Sequence, residues 1–346
     1  MRAAWAALVA RRILVKDGPY GTEIQARGLT EADFRGTLAL ERDQKGNNDL
    51  LCLTRPDVVA DIARAYAGAG ADLLATNSFN ANAISQADYG AEALVADINR
   101  AAARIVRAVA DAATAADGRP RFVAGAVGPT NKTLSISPRV SDPGFREISF
   151  DGMKAVYREQ IDALLDGGAD CILIETVFDT LNAKAAIMAA FDSGDARGYE
   201  VPLMLSMTLT DLAGRNLSGQ TVGAFWHSVA HARPLAVGLN CSFGATELTP
   251  HVAELAALVD CPLMVYPNAG LPNAMGAYDE PAEVTAALVG DWARRGLVNV
   301  VGGCCGTTPA HIAALRAAVD RLPPRALAQP APALRLAGLE PFTLAV

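Results

Sequence analysis

Eight short runs of apolar and β-branched residues recur along the chain. Each is followed by a longer stretch with apolar residues at i, i+3/4 and i+7. The runs lie at 13–17 (ILVKD), 72–76 (DLLAT), 122–126 (FVAGA), 170–175 (DCILIE), 202–207 (PLMLSM), 235–240 (LAVGLN), 262–266 (PLMVY) and 298–302 (VNVVG). Near-continuous apolar runs are what parallel strands need when both faces are covered. Eight strand–helix pairs predict a closed (β/α)8 TIM barrel rather than an open doubly wound sheet. No GxGxxG opens a helix after the first run, so a dinucleotide-binding sheet gains no support.

The expected organisation is one barrel domain over 1–322, with long insertions at 20–54 and 128–148 on the face where barrels keep their sites. At the N-terminus, AAWAALVA precedes Arg11 and Arg12, the wrong charge order for a secretory signal, and reads as a short helix over the barrel bottom. From Pro323 the composition turns to Pro and Ala, so 323–346 reads as a linker-like tail. Its Leu334, Leu336, Leu339 and Phe342 are too apolar for a free linker and are expected to pack on the barrel or on a partner. Helix starts are read at Thr54 with Asp57 as a capping box, at Asp179, and at Thr308 before Pro309.

Composition narrows the function. The net charge of −7 and the lack of a basic patch argue against a nucleic-acid partner. No run approaches the ~18 apolar residues of a membrane span. Six cysteines in a long chain without an export signal read as thiols or metal ligands, and the chain is expected in the cytoplasm.

In a barrel, the residues just past each strand converge on one rim. Here they are Asp17-Gly18, Asn77, Gly128-Pro129-Thr130, Glu175-Thr176, Thr208, Asn240-Cys241, Asn268 and Gly303-Cys304-Cys305. Adjacent strand residues point to opposite faces, so Cys304 and Cys305 can share one metal only if the strand stops there. VGGCCGTT supplies the freedom to turn. With Cys241 two strands away, three thiolates suit zinc and leave a fourth position open. Buried inert thiols, or a vicinal disulfide, are the alternatives. Glu175 and Asp17 are each either a satisfied structural acid or a ligand for a cation. Together they could hold a substrate ammonium while the Gly21-Thr22 turn offers N–H groups to a carboxylate. Asn268 either caps a turn or offers an oxygen to the metal. His227, His231, His251 and His311 read as surface or capping residues, and Cys52, Cys171 and Cys261 as inert.

These strings closely resemble the homocysteine-binding domain of cobalamin-dependent methionine synthases. The resemblance rests on ILVKDGPYGTEIQ, KGNNDLLCLTRPDVV, GAVGPTNKT with SISP, ILIETVFDTLNAKAA, SGQT, GLNCSFG, YPNAGLPNA and VGGCCGTTPAHI, in the family's order over 12–320. It implies Cys241, Cys304 and Cys305 as zinc ligands, with Asn268 in the fourth position when substrate is absent. It further implies Asp17 and Glu175 at the homocysteine amino group, Gly21 and Thr22 near its carboxylate, and Asn240 in the substrate site. GNNDLL, GPTNKT and FDTLNAKAA point to the cobalamin-dependent branch rather than the betaine or S-methylmethionine branches. Two positions depart from the pattern. Ala75 stands where Glu is frequent, and DGPYGTE replaces the common DGGMGTM, so that Pro19 reshapes the carboxylate pocket.

The implied chemistry is attack of zinc-activated homocysteine thiolate on a methyl group, giving methionine. The implied donor is methylcobalamin on a separate folate- and cobalamin-binding methionine synthase chain, because this chain has no room for those modules and LRLAGLEPFTL resembles the connector leading to the folate barrel. Two other readings stand beside it: a stand-alone methyltransferase using S-methylmethionine or betaine, and a non-catalytic homocysteine- or zinc-binding subunit.

Overall fold

The computed structural model describes residues 1–345. Eight parallel strands form the barrel: β1 (Leu14–Val15), β2 (Leu73–Ala75), β3 (Phe122–Val127), β4 (Cys171–Val177), β5 (Leu203–Met207), β6 (Ala236–Asn240), β7 (Leu263–Tyr266) and β8 (Val300–Val301). Each strand pairs with its sequence neighbour from β2 to β8, and β8 returns to β1 with Leu14 opposite Val300. The seam between β1 and β2 is held by one bridge, Lys16 with Leu73, reinforced by Asp17 N–H to the Leu73 carbonyl at 2.9 Å.

Strand parity sorts the core into two layers. Leu14, Leu73, Phe122, Ala124, Leu173, Met204, Met264 and Val300 fill the barrel interior. Their neighbours Val15, Leu74, Val123, Ile172, Leu205, Val265 and Val301 face outward against the helices. The helix Arg2–Val9 closes the bottom, as its sequence implied. Trp5 is buried there, donating its indole N–H to the Leu235 carbonyl at 3.1 Å and meeting Phe122 edge-on at 5.6 Å.

One local expectation is corrected. Thr54 and Asp57 form no capping box: Thr54 ends the short helix Leu51–Thr54, and Arg55 is the N-cap of Pro56–Gly68. Pro56 decides this, because its fixed φ and missing N–H place it naturally at the first helical position. The tail is ordered. It forms an antiparallel hairpin of β9 (Ala333–Ala337) and β10 (Pro341–Ala345), with Leu336 opposite Phe342 and Leu334 opposite Leu344. The hairpin is fastened to the barrel by Thr221 N–H to the Leu339 carbonyl (3.0 Å), Gln220 Nε2 to the Gly338 carbonyl (2.8 Å), and an Arg215–Glu340 ion pair. Backbone and polar groups therefore make much of the attachment, while Leu334, Leu336, Leu339 and Phe342 remain exposed.

The caps read at Asp179 and Thr308 are present. Asp179 accepts from the Leu181 and Asn182 N–H groups, and Thr308 N–H donates to His311 Nδ1, so His311 is a capping histidine.

Candidate active site

Three thiols meet at the mouth. The Sγ atoms of Cys241, Cys304 and Cys305 all lie within 4.8 Å of one another, and those of Cys241 and Cys305 are 3.8 Å apart. Two sulfurs each ~2.3 Å from a tetrahedral ion would be separated by about 3.8 Å, so this spacing fits a metal edge.

The backbone works to produce the cluster. After β6, Cys241 and Ser242 both take left-handed φ, 63° and 62°, without glycine at either position. Thr176, at the irregular end of β4, has φ 59°. Such non-glycine residues cost on the order of 1–3 kcal/mol each and persist only where surrounding contacts impose them. At β8 the turn uses glycine instead. A Cβ on Gly303 would stand 2.1 Å from Thr307 Oγ1, and Gly306 (φ 79°) leaves room for the Tyr278 ring. The Cys304 N–H is anchored on the Pro267 carbonyl at 2.8 Å, and Thr307 N–H closes the turn onto the Cys304 carbonyl.

The thiols titrate together. Hydrogen bonding with Cys241 and then Cys304 draws Cys305 below the ordinary thiol range, whereas contact with Cys241 first, then with Cys305, and burial push Cys304 up. Three thiolates at this spacing need a cation among them. Asn268 is 1% exposed, and its Oδ1 is buried without a hydrogen-bond partner. Its Nδ2 lies 3.5 Å from the Tyr278 hydroxyl. The three sulfurs therefore fit a thiophilic metal.

Below the thiols lies a charged layer. Asp17 is fully buried, accepting from Lys16 Nζ at 2.9 Å and from Ala75 N–H at 2.7 Å. Glu175 is buried and accepts from the Tyr266 hydroxyl at 2.9 Å. Burial pushes the Glu175 carboxyl up, opposed by Lys16 and by the Tyr266 hydroxyl. Burial works against the Lys16 cation, but Asp17 and Glu175 outweigh it and hold the ammonium charged.

The remaining expected residues take more specific places. Asn240 is fully engaged: Oδ1 accepts from Ser206 Oγ (2.6 Å) and Thr176 N–H (3.0 Å), and Nδ2 donates to Thr176 Oγ1 (2.9 Å) beside Cys304 Sγ at 3.8 Å. It links three strands under the thiols. Gly21 and Thr22 sit in the first turn of the helix Tyr20–Ala26, and Thr22 Oγ1 accepts from Gly306 N–H at 3.0 Å, so the first loop steadies the Cys304-Cys305 turn. Cys52, Cys171 and Cys261 lie away from the cluster, and burial raises all three thiols.

Lys16, Tyr266 and Tyr278 were not singled out from the sequence. Lys16 had a signal: a cation at the inward parity of an apolar strand. Tyr278, in a Gly- and Pro-rich loop, had none.

A parallel barrel carrying a metal-competent trio of thiols and a buried carboxylate at its mouth defines an enzyme of the thiol-handling kind. The chain belongs to the homocysteine S-methyltransferase family, whose sequence model matches residues 14–319. It is accordingly a methyltransferase. Solved structures of the homocysteine methyltransferase MmuM from Escherichia coli are similar to it. The oxidized form is 26% identical, with a TM-score of 0.72 over 90% of this chain and 98% of that one. The metallated form is 26% identical, with a TM-score of 0.71 and the same coverage. Among the described residues, no helix is long and apolar enough to cross a membrane.

Proposed function

We propose that this chain transfers a methyl group from methylcobalamin, carried by a separate folate- and cobalamin-binding protein, to the sulfur of homocysteine, with zinc held by Cys241, Cys304 and Cys305. The carrying observation is the thiol trio within 4.8 Å, beside the unpartnered Oδ1 of Asn268. The existence of a metallated form of the E. coli relative supports a metal here. When bound, zinc would supply a Lewis acid that keeps a substrate thiol ionised at neutral pH.

The chain's own residues provide the rest. The three cysteines hold the metal, and Asn268 takes the fourth position until substrate displaces it. Glu175, with Asp17 behind it, makes the pocket negative where the homocysteine ammonium would lie. The N–H groups of the first turn at Gly21 and Thr22 lack partners within their helix and face the role of carboxylate donors.

Support for the cobalamin donor comes from the strings that resemble that branch, which form one scaffold at the rim. Asp179 of the FDTLN string accepts from the Leu134 and Ser135 N–H groups (3.1 and 2.8 Å), and Asn182 Nδ2 donates to the Lys132 carbonyl (2.8 Å). These bonds tie residues 132–135 of the 128–148 insertion to the start of the helix Thr180–Arg197.

The test is methionine formation from homocysteine with methylcobalamin, S-methylmethionine or betaine as donor, with and without zinc chelation. We expect turnover with methylcobalamin alone, abolished by chelation. Efficient turnover with either small donor and no cobalamin overturns the donor assignment. Turnover that survives complete metal removal overturns the role of zinc.

A further inference from the structure

The two carboxylates at the mouth are not equivalent, and Lys16 makes them so. Lys16 continues the inward parity of Leu14 and is 4% exposed, deep in a layer that barrels usually fill with apolar side chains. Its Nζ donates to Asp17 Oδ1 at 2.9 Å and lies 4.7 Å from the centroid of the Tyr266 ring. The other Asp17 oxygen takes the Ala75 N–H. Both oxygens of Asp17 are therefore committed within the chain. Glu175 has one protein partner, the hydroxyl of the same Tyr266. Tyr266 thus holds the lysine by its ring and the glutamate by its hydroxyl.

Charge counting gives this arrangement a purpose. Asp17 and Glu175 bring two negative charges and Lys16 one positive charge, leaving a single negative charge unmatched. An amino-acid substrate brings one ammonium. Without Lys16, two buried carboxylates would face that one cation, and a buried anion without a partner is strongly disfavoured. We propose that Lys16 is a specificity-determining positioning residue: it neutralises Asp17 within the chain and leaves Glu175 as the sole acceptor for the substrate ammonium. This inference rests on the homocysteine reading above.

The consequence is an interdependence that a direct-ligand role for Asp17 would not produce. Asp17→Asn frees Lys16, whose remaining anion is Glu175. The lysine then competes with the substrate for Glu175, and homocysteine affinity falls by roughly tenfold or more. In a Lys16→Met background there is no cation to free, and the same Asp17→Asn change should alter affinity by less than about threefold. The complementary pair uses Glu175→Gln. It costs roughly tenfold or more in the wild-type background, but much less with Lys16→Met, where Asp17 is free to take the ammonium.

The experiment is calorimetric titration of the zinc-loaded full chain and its variants with homocysteine and with 4-mercaptobutanoate, which has the thiol and carboxylate but no ammonium. Zinc content is measured on each protein, and KM and kcat for homocysteine are taken alongside. The losses should appear in homocysteine affinity and KM with kcat within about twofold, and the analogue should bind the Asp17→Asn protein no more weakly than wild type. Lys16→Arg, which keeps the charge, should preserve the large Asp17→Asn loss. Equal Asp17→Asn losses in both backgrounds would make Asp17 a direct ligand and overturn the inference. So would an equal loss for the analogue. If Asp17→Asn fails to fold, the Glu175→Gln pair decides alone: equal losses with and without Lys16 overturn the proposal. A wild-type chain that holds zinc but does not bind homocysteine counts against the proposed function instead.

Discussion

Both ends of the barrel bury carboxylates, but they treat them in opposite ways. At the bottom, Asp72 is 1% exposed and saturated with donors. Arg12 grips both its oxygens at 2.7 and 2.8 Å, Val15 N–H adds a bond at 2.9 Å, and Arg316 closes the other side. At the mouth, Glu175 has one tyrosine hydroxyl. A buried anion with a full set of donors ties strands together, whereas one left short keeps a place for a cation from outside. The thiols divide similarly: Cys52 and Cys171 are sealed in the core, and the three at the mouth are partly open.

Substitutions should separate the two ends. The largest effect is expected at the thiols. Cys241→Ala or Cys304→Ala should lose most of about one zinc per chain, and turnover with it, whereas Cys52→Ala should keep both. Full zinc retention by Cys241→Ala, measured by metal analysis, would remove it from the ligand set. Next comes the bottom. Asp72→Ala strands Arg316 and should lower stability by about 3–5 kcal/mol in urea unfolding, with zinc content per folded chain unchanged. Glu175→Gln should show the reverse pattern. Homocysteine binding weakens by on the order of 1.5–3 kcal/mol, while the urea midpoint stays near that of the wild type. A large stability loss there would make Glu175 a structural acid like Asp72.

The smallest effect is a pH slope. Asp49 is 4% exposed, has one backbone donor in Asn80, and is pushed up to about 7 by burial. A carboxyl whose folded pKa exceeds its unfolded value binds its proton more tightly when folded. Its contribution is therefore most favourable at low pH and is lost as pH rises from ~4 through 7. Asp49→Asn should flatten the stability curve by on the order of 1–2 kcal/mol between pH 5 and pH 8, measured by urea unfolding at each pH. An unchanged curve would mean that Asp49 is solvated or paired in solution.

The barrel and the thiols were legible in the sequence, and the saturated Asp72 at its bottom was not. The strands announced themselves because parallel strands buried on both faces leave long apolar runs. Cys304 and Cys305 were legible because glycines on both sides of the pair permit the chain to leave the strand. Lys16 was missed because treating ILVKD as an apolar run ignores parity, and parity is what aims the ammonium inward. The partners of Asn240 were hidden, because Thr176 and Ser206 belong to neighbouring strands. The hairpin in the tail went unread behind its composition. Pro and Ala dominate its first part, while the alternating Leu334-Arg335-Leu336 and Phe342-Thr343-Leu344 carried the hairpin.

The closure of the barrel has a consequence for how a new chain matures. Two of the three thiols follow β8, the last barrel strand to be made, and that strand must find β1, the first, before the ring is complete. Thr22, near the beginning of the chain, then holds Gly306 near its end. On the ribosome Cys241 emerges about sixty residues ahead of Cys304, a delay of several seconds at ~5–20 residues per second. During that interval it is a solitary sulfur with little grip on a metal ion. Tight capture must wait until β8 has met β1, so a retained ion would certify that the ring has closed.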